Sequence, residues 1–151
     1  FFSKHMFTLW LIVTALLLGR GTGSLMITGV LSGPTASGSQ PAVVELYATE
    51  DIPDISAYGL GVAADGGGSA GKQYTFTTGS VSQGSFLYVS KESTKFYDWF
   101  GFYPDYTTTT LALTGNDAVE LYQGATVGDV FGDPATDGAG QVWDYTQGWA
   151  Y

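Results

Sequence analysis

The chain has 151 residues with 22 Gly, 44% hydrophobic and 13% charged side chains, a length that builds one domain around a modest core and not two. Ten Tyr, nine Phe and four Trp at such low charge exclude extended disorder, which goes with few aromatics and many charges. From Leu25 onward only Lys72, Lys91 and Lys95 oppose all fourteen acids, and a surface this anionic repels phosphate backbones and anionic membranes, which argues against direct nucleic-acid binding by this segment.

Residues Phe1 to Ser24 place the cationic Lys4 ahead of the apolar run Phe7 to Leu18, with small Gly21, Gly23 and Ser24 behind it. This is the three-part pattern of a secretory signal. As a helix the run would reach only about 18 Å, short of the roughly 30 Å hydrocarbon core, so no membrane span is expected. Met6 reads as the start and the Ser24–Leu25 junction as the cleavage point. The expectation is therefore a signal segment over 1–24, a mature domain over 25–151, and an extracellular or cell-surface location. Two rival readings keep Phe7 to Leu18: as a buried element of the fold, or as a strand inserted into a neighbouring subunit to build a fibre by self-association.

Past Leu25, apolar and polar residues alternate with the two-residue period of strands that bury one face. Strands are predicted over Leu25 to Val30, Ala42 to Ala48, Ala57 to Val62, Gln73 to Thr77, Ser85 to Ser90, Thr109 to Thr114, Ala118 to Tyr122, Thr126 to Phe131 and Val142 to Tyr145. Turn formers such as Ser32-Gly33-Pro34, Asp65 to Ser69, Gly79 to Gly84 and Gly115-Asn116-Asp117 separate them, because Gly and Asn reach positive φ at low cost. Short strands at this spacing predict a sandwich or barrel. The motif V-E-L-Y occurs twice, at Val44 to Tyr47 and Val119 to Tyr122. Alternation sends Val44, Leu46, Val119 and Leu121 to the core and turns Glu45, Tyr47, Glu120 and Tyr122 outward.

One stretch departs from the period. In Glu92 to Phe102, residues Phe96, Trp99 and Phe100 stand at offsets of three and four, a stripe on one short helix with Ser93 or Thr94 as its N-cap, expected to lid one end of the sandwich. The sequence ends at Gln147 to Tyr151 while apolar and small residues still alternate. We read it as cut short there, with a further domain expected beyond.

The blocks Leu25 to Val30, Ala42 to Tyr47, Asp51 to Leu60, Tyr74-Thr75-Phe76, Gly84 to Val89, Gly115 to Tyr122 and Val127 to Asp133 occur in an order that resembles the lamin-tail domain in its bacterial secreted branch. The resemblance covers roughly Leu25 to Tyr151. It implies an all-β, immunoglobulin-like β-sandwich with one short helix. It also implies an accessory module of a larger exported protein, often ahead of a nuclease or phosphatase domain, with no catalytic residues of its own.

There is no Cys, and the one His is His5, so zinc sites, thiol nucleophiles and a Ser-His-Asp triad are excluded from the body of the chain. Asp133, Asp137 and Asp144, with Gly138, partly match a calcium loop, but Ala135 fills loop position three, a ligand position, and Asp replaces Glu at position twelve. An acidic loop whose carboxylates bond their own backbone is the stronger reading, and Ca²⁺ is the one cofactor the pattern suggests. Glu50, Asp51 and Asp54 around Pro53 read as a solvated turn before a catalytic pair. Asp65 to Lys72 lacks the Gly-Lys-Ser/Thr ending of a phosphate loop and reads as a flexible hairpin loop. Trp99, Tyr103 and Tyr106, with Phe100 and Phe102 beside them, suit either core packing, the preferred reading, or a platform for a protein or glycan surface.

The expected function is that of a non-catalytic, exported interaction or accessory module. The alternatives are the leading part of an extracellular nuclease or phosphoesterase whose active site lies beyond Tyr151, and a fibre subunit.

Overall fold

In the computed structural model, residues 24–33 and 41–151 are described; the apolar run Phe7 to Leu18, and with it the signal, strand-insertion and fibre readings, lies outside them. Among the described residues nine strands form two sheets. They are β1 (Leu25–Ser32), β2 (Ala42–Ala48), β3 (Tyr58–Ala63), β4 (Tyr74–Thr75), β5 (Phe86–Ser90), β6 (Tyr106–Thr107), β7 (Ala118–Gln123), β8 (Thr126–Phe131) and β9 (Gly148–Ala150), with one α-helix described, α1 (Ser93–Phe100). The five-stranded sheet runs β6-β5-β2-β1-β9 and the four-stranded sheet β4-β3-β7-β8. With β1, β2, β3, β4, β5, β7 and β8 taken as A, B, C, C′, E, F and G, these are the A-B-E and C′-C-F-G orders of an immunoglobulin sandwich. β9 is added beside β1, and β6 pairs in parallel with β5.

Alternation decides what fills the space between the sheets. Val44, Leu46, Leu60, Val89, Val119 and Leu121 are all within 1% of full burial and belong to one cluster with Ile55, Phe76, Leu111 and Tyr145. The four aliphatics of the two V-E-L-Y motifs therefore face inward as the pattern predicts. β1 carries a bulge between Ile27 and Gly29, which keeps Ile27 and Val30 both on the core side although they lie three residues apart. Asp129 on β8 bridges the sheets there, its carboxylate accepting the Ile27 N–H at 2.8 Å.

Two predicted strands are replaced by loops. Leu111 and Leu113 are buried, but Thr109 to Thr114 makes no ladder. The Asp117 carboxylate takes the Thr114 N–H at 2.7 Å and its hydroxyl at 2.8 Å, which turns the chain before it can pair. Val142 to Tyr145 is also a loop. The Asp144 carboxylate accepts the N–H groups of Gly140 and Thr146, both at 2.8 Å, and Val142 is fully exposed. The pairing moves downstream to β9.

The helix differs from expectation in its cap and its place. Glu92 stands at the N-cap with no side-chain hydrogen bond, and Gly101 closes the C-terminus in the left-handed region at φ 77°, the conformation that favours glycine there. Phe96 alone on α1 is buried. It packs with Leu31, Val43, Tyr88 and Trp149, which places α1 on the outer face of the five-stranded sheet and not over an end of the sandwich.

Candidate functional site

Each constellation named from the sequence has a defined fate. Asp133 accepts the Ala135 N–H at 3.0 Å and the Thr136 hydroxyl at 2.7 Å. Asp137 accepts the Ala139 N–H at 3.0 Å and the Asn116 amide at 2.8 Å. These bonds, the backbone N–H first in each case, hold both carboxyls below the usual carboxylate value, and the Gly140 and Thr146 N–H groups do the same for Asp144. All three acids serve turn geometry. Among the described residues no three acidic or His side chains gather to hold a metal ion.

Asp54 caps the 3-10 turn Ile55–Ala57 by accepting the Ser56 N–H, and Asp51 accepts the Gln83 N–H at 2.8 Å. Both are exposed, as a solvated turn requires.

The Asp65 to Lys72 loop is anchored, contrary to the flexible loop expected. Asp65 sits at φ 50°, in the left-handed region. It is held there by its own N–H donating to Asp117 and by the Asn116 amide donating to its carboxylate. Farther along, the Ser69 hydroxyl lies 2.7 Å from the Glu120 carboxylate and 2.9 Å from the Tyr122 hydroxyl, and Tyr122 also donates to Glu120 at 3.0 Å. The loop thus straps the outer face of the four-stranded sheet. Glu120 is 3% exposed and Tyr122 5%. Burial, together with the Glu120 carboxylate, pushes the Tyr122 hydroxyl up from its ordinary value. Gly59 and Gly61 on β3 make the close approach feasible, since a Cβ on either would collide with the Tyr74 or the Gly71 carbonyl oxygen.

The aromatic group divides. Tyr106 packs against the core beside Phe76, their ring centroids 4.9 Å apart. Trp99 and Tyr103 stand out at 46% and 65% exposure, with Tyr97, Phe100 and Phe102 between 38% and 44%. Tyr97 stacks on Tyr103 at 4.6 Å, while Phe100 and Phe102 cluster on the buried Phe96. Core packing, the preferred sequence reading, holds for Tyr106 and fails for Trp99 and Tyr103. A helix of two turns on an already paired sheet can bury one stripe only, and Phe96 occupies it.

The strand register extends this surface in a way the sequence reading did not assemble. Met26 pairs with Tyr47 and Tyr47 with Phe86; Gly29 pairs with Glu45 and Glu45 with Tyr88. All six point away from the core on the five-stranded sheet. Met26 is 41% and Phe86 50% exposed. The Trp149 indole lies against Gly29, where a Cβ would be overlapped by the ring. Glu45 accepts the Thr28 hydroxyl at 2.9 Å, and burial, with the Glu45 hydrogen bond next, raises the Tyr88 hydroxyl above its ordinary value. Alternation alone turns these side chains outward; only the register shows that they adjoin.

No family model, curated protein or solved structure matches the chain. Among the described residues no helix is long and apolar enough to cross a membrane.

Proposed function

We propose that this chain is a non-catalytic recognition module of an exported protein, acting outside the cell or at its surface on a protein or glycan partner. One observation carries the reading: five aromatic side chains, Tyr97, Trp99, Phe100, Phe102 and Tyr103, stand 38–65% exposed on a scaffold of paired strands. Loops and short helices on a rigid sandwich are where recognition residues concentrate, and exposed aromatic patches mark contact surfaces. The lamin-tail resemblance supports an accessory role, and the pattern of residues 1–24 supports export.

The test compares the chain with a Trp99→Ala/Tyr103→Ala variant on glycan and extracellular-protein arrays. Binding is expected for the parent and strong loss for the variant, with melting temperatures within a few degrees because both side chains are exposed. The same preparations are assayed on phosphomonoester and phosphodiester substrates with Mg²⁺, Mn²⁺ or Ca²⁺. Turnover by the chain itself would overturn the reading.

A further inference from the structure

The outer face of the five-stranded sheet has a composition that selects its occupant. Across β9, β1, β2 and β5 runs a line of Trp149 over Gly29, then Glu45, then Tyr88, with Phe102 set edge-on to Tyr88 at 5.3 Å. Beside it lie Met26, Tyr47 and Phe86, the last two rings 4.9 Å apart. Four strands at about 4.8 Å spacing make this band about 14 Å long. The rings give it apolar surfaces. Glu45 gives it an acceptor at the centre, for a carboxylate offers about four lone-pair sites and the Thr28 and Tyr88 hydroxyls use two.

Charge narrows the partner. Residues 91–105, which border the band, hold two Lys and three acids, whereas 117–144 hold six acids and no base. The band therefore borders a stretch less anionic than 117–144 in a strongly anionic molecule. A polyanion is repelled by the whole. A bilayer interior would strip the remaining water from Glu45 and supply no further donor, and a second copy docked face to face would set one Glu45 toward another in a chain of net charge -9. A neutral sugar does neither. Its C–H faces lie on aromatic rings and its hydroxyls donate to the carboxylate.

Resting on the reading of this chain as a recognition module, we infer that the Trp149–Glu45–Tyr88–Phe86 face is a binding site for neutral oligosaccharide chains. Phe86 and Tyr47 supply the stacking surface. Glu45 fixes orientation by accepting sugar hydroxyls.

The test is calorimetric titration of the full chain with cello-, laminari-, xylo- and chitohexaose, and with hexagalacturonate as the anionic counterpart. Binding of at least one neutral hexaose and none of hexagalacturonate is expected. Phe86→Ala should weaken it by roughly tenfold or more, and Glu45→Gln by roughly threefold to tenfold. Val142→Ser, on a distant loop, should bind as the parent does. Near-ultraviolet circular dichroism of each variant reports whether the fold survives. Failure of every neutral hexaose to bind overturns the inference, as does concentration-dependent dimerisation abolished by Phe86→Ala, which would assign the face to a second copy. Binding that survives Phe86→Ala and Glu45→Gln but is lost in Trp99→Ala/Tyr103→Ala also overturns it, while leaving the recognition-module reading intact.

Discussion

β2 and β7 carry the same four residues and meet different fates on one side only. Inward, Val44 and Leu46 match Val119 and Leu121 in burial to within 1%. Outward, Glu120 and Tyr122 are covered by the strap and bonded to Ser69, whereas Glu45 and Tyr47 remain half-buried on an open sheet face. The motif sets the core side because alternation is a property of the strand itself. It does not set the other side, which depends on the neighbouring strand. Gly59 and Gly61 beside β7 let a loop lie on the backbone; Phe86 and Tyr88 beside β2 fill that space with rings.

The severest test of that symmetry is truncation of the inward pair. Leu46→Ala and Leu121→Ala each remove a fully buried side chain from the same cluster, so both should cost about 2–5 kcal/mol in urea unfolding, with similar values. If one costs less than half the other, the two motifs are not equivalent core strands.

The outward difference is tested at the strap. Gly61→Ala drives a methyl into the Gly71 carbonyl oxygen and should cost about 1–3 kcal/mol. It should also speed hydrogen exchange over residues 65–73, leaving β2 and β5 unchanged. Ser69→Ala removes a donor from the buried Glu120 and should cost about 1–3 kcal/mol, against about 1 kcal/mol or less for Thr28→Ala at the half-buried Glu45. Equal costs would show that the strap shields nothing.

What was legible in the residues was local. The two-residue period located β2 and β8 with their boundaries, and it assigned the four inward aliphatics. It failed at Thr109 to Thr114 and Val142 to Tyr145, where the pattern alternates but Asp117 and Asp144 spend their carboxylates on the local backbone. Side-chain capture of an N–H competes with a ladder, and composition does not reveal which wins. The three turn acids Asp133, Asp137 and Asp144 were readable, because an Asp side chain in a turn readily bonds the backbone N–H two residues on, as all three do. The outer aromatic band was not. Met26, Tyr47 and Phe86 are far apart in sequence, and pairing register brings them into one row.

Titration offers a smaller effect, on the closed side of the molecule. Tyr145 is 2% exposed, and its hydroxyl donates to the Asp117 carbonyl at 2.9 Å just before β7. Burial raises its ionisation far above the ordinary tyrosine range, with the Asp117 charge adding to the effect. A tyrosine whose folded value is raised contributes fully below about pH 10, where the unfolded phenol stays protonated, and loses that contribution as pH rises above it. Stability should therefore fall above about pH 10. Tyr145→Phe should lose about 0.5–1.5 kcal/mol at neutral pH with the hydrogen bond, and then fall less steeply on the alkaline side. An unchanged alkaline slope would mean that other buried phenols, Tyr122 among them, carry the effect.

The smallest effect lies at the acid end, in the exposed loops beyond β8. Asp133, Asp137 and Asp144 have values below the ordinary 3.8, from backbone N–H bonds first and from the Thr136, Asn116 and Thr146 side chains next. The stabilisation they give is complete above that value and disappears as pH falls through the lower folded values. Melting temperature should be flat from pH 7 to about 5 and decline below about 4. Asp137→Asn should narrow the difference between pH 7 and pH 3, because the amide keeps an acceptor but no longer titrates. Adding millimolar Ca²⁺ checks the same loop from the other direction. With each carboxylate already turned onto backbone N–H groups, a cation must break those bonds to collect ligands, so neither heat nor a rise in melting temperature is expected. A clear rise, lost in Asp137→Asn, would show that the turn opens into a metal loop and that its backbone bonds are only the ion-free arrangement.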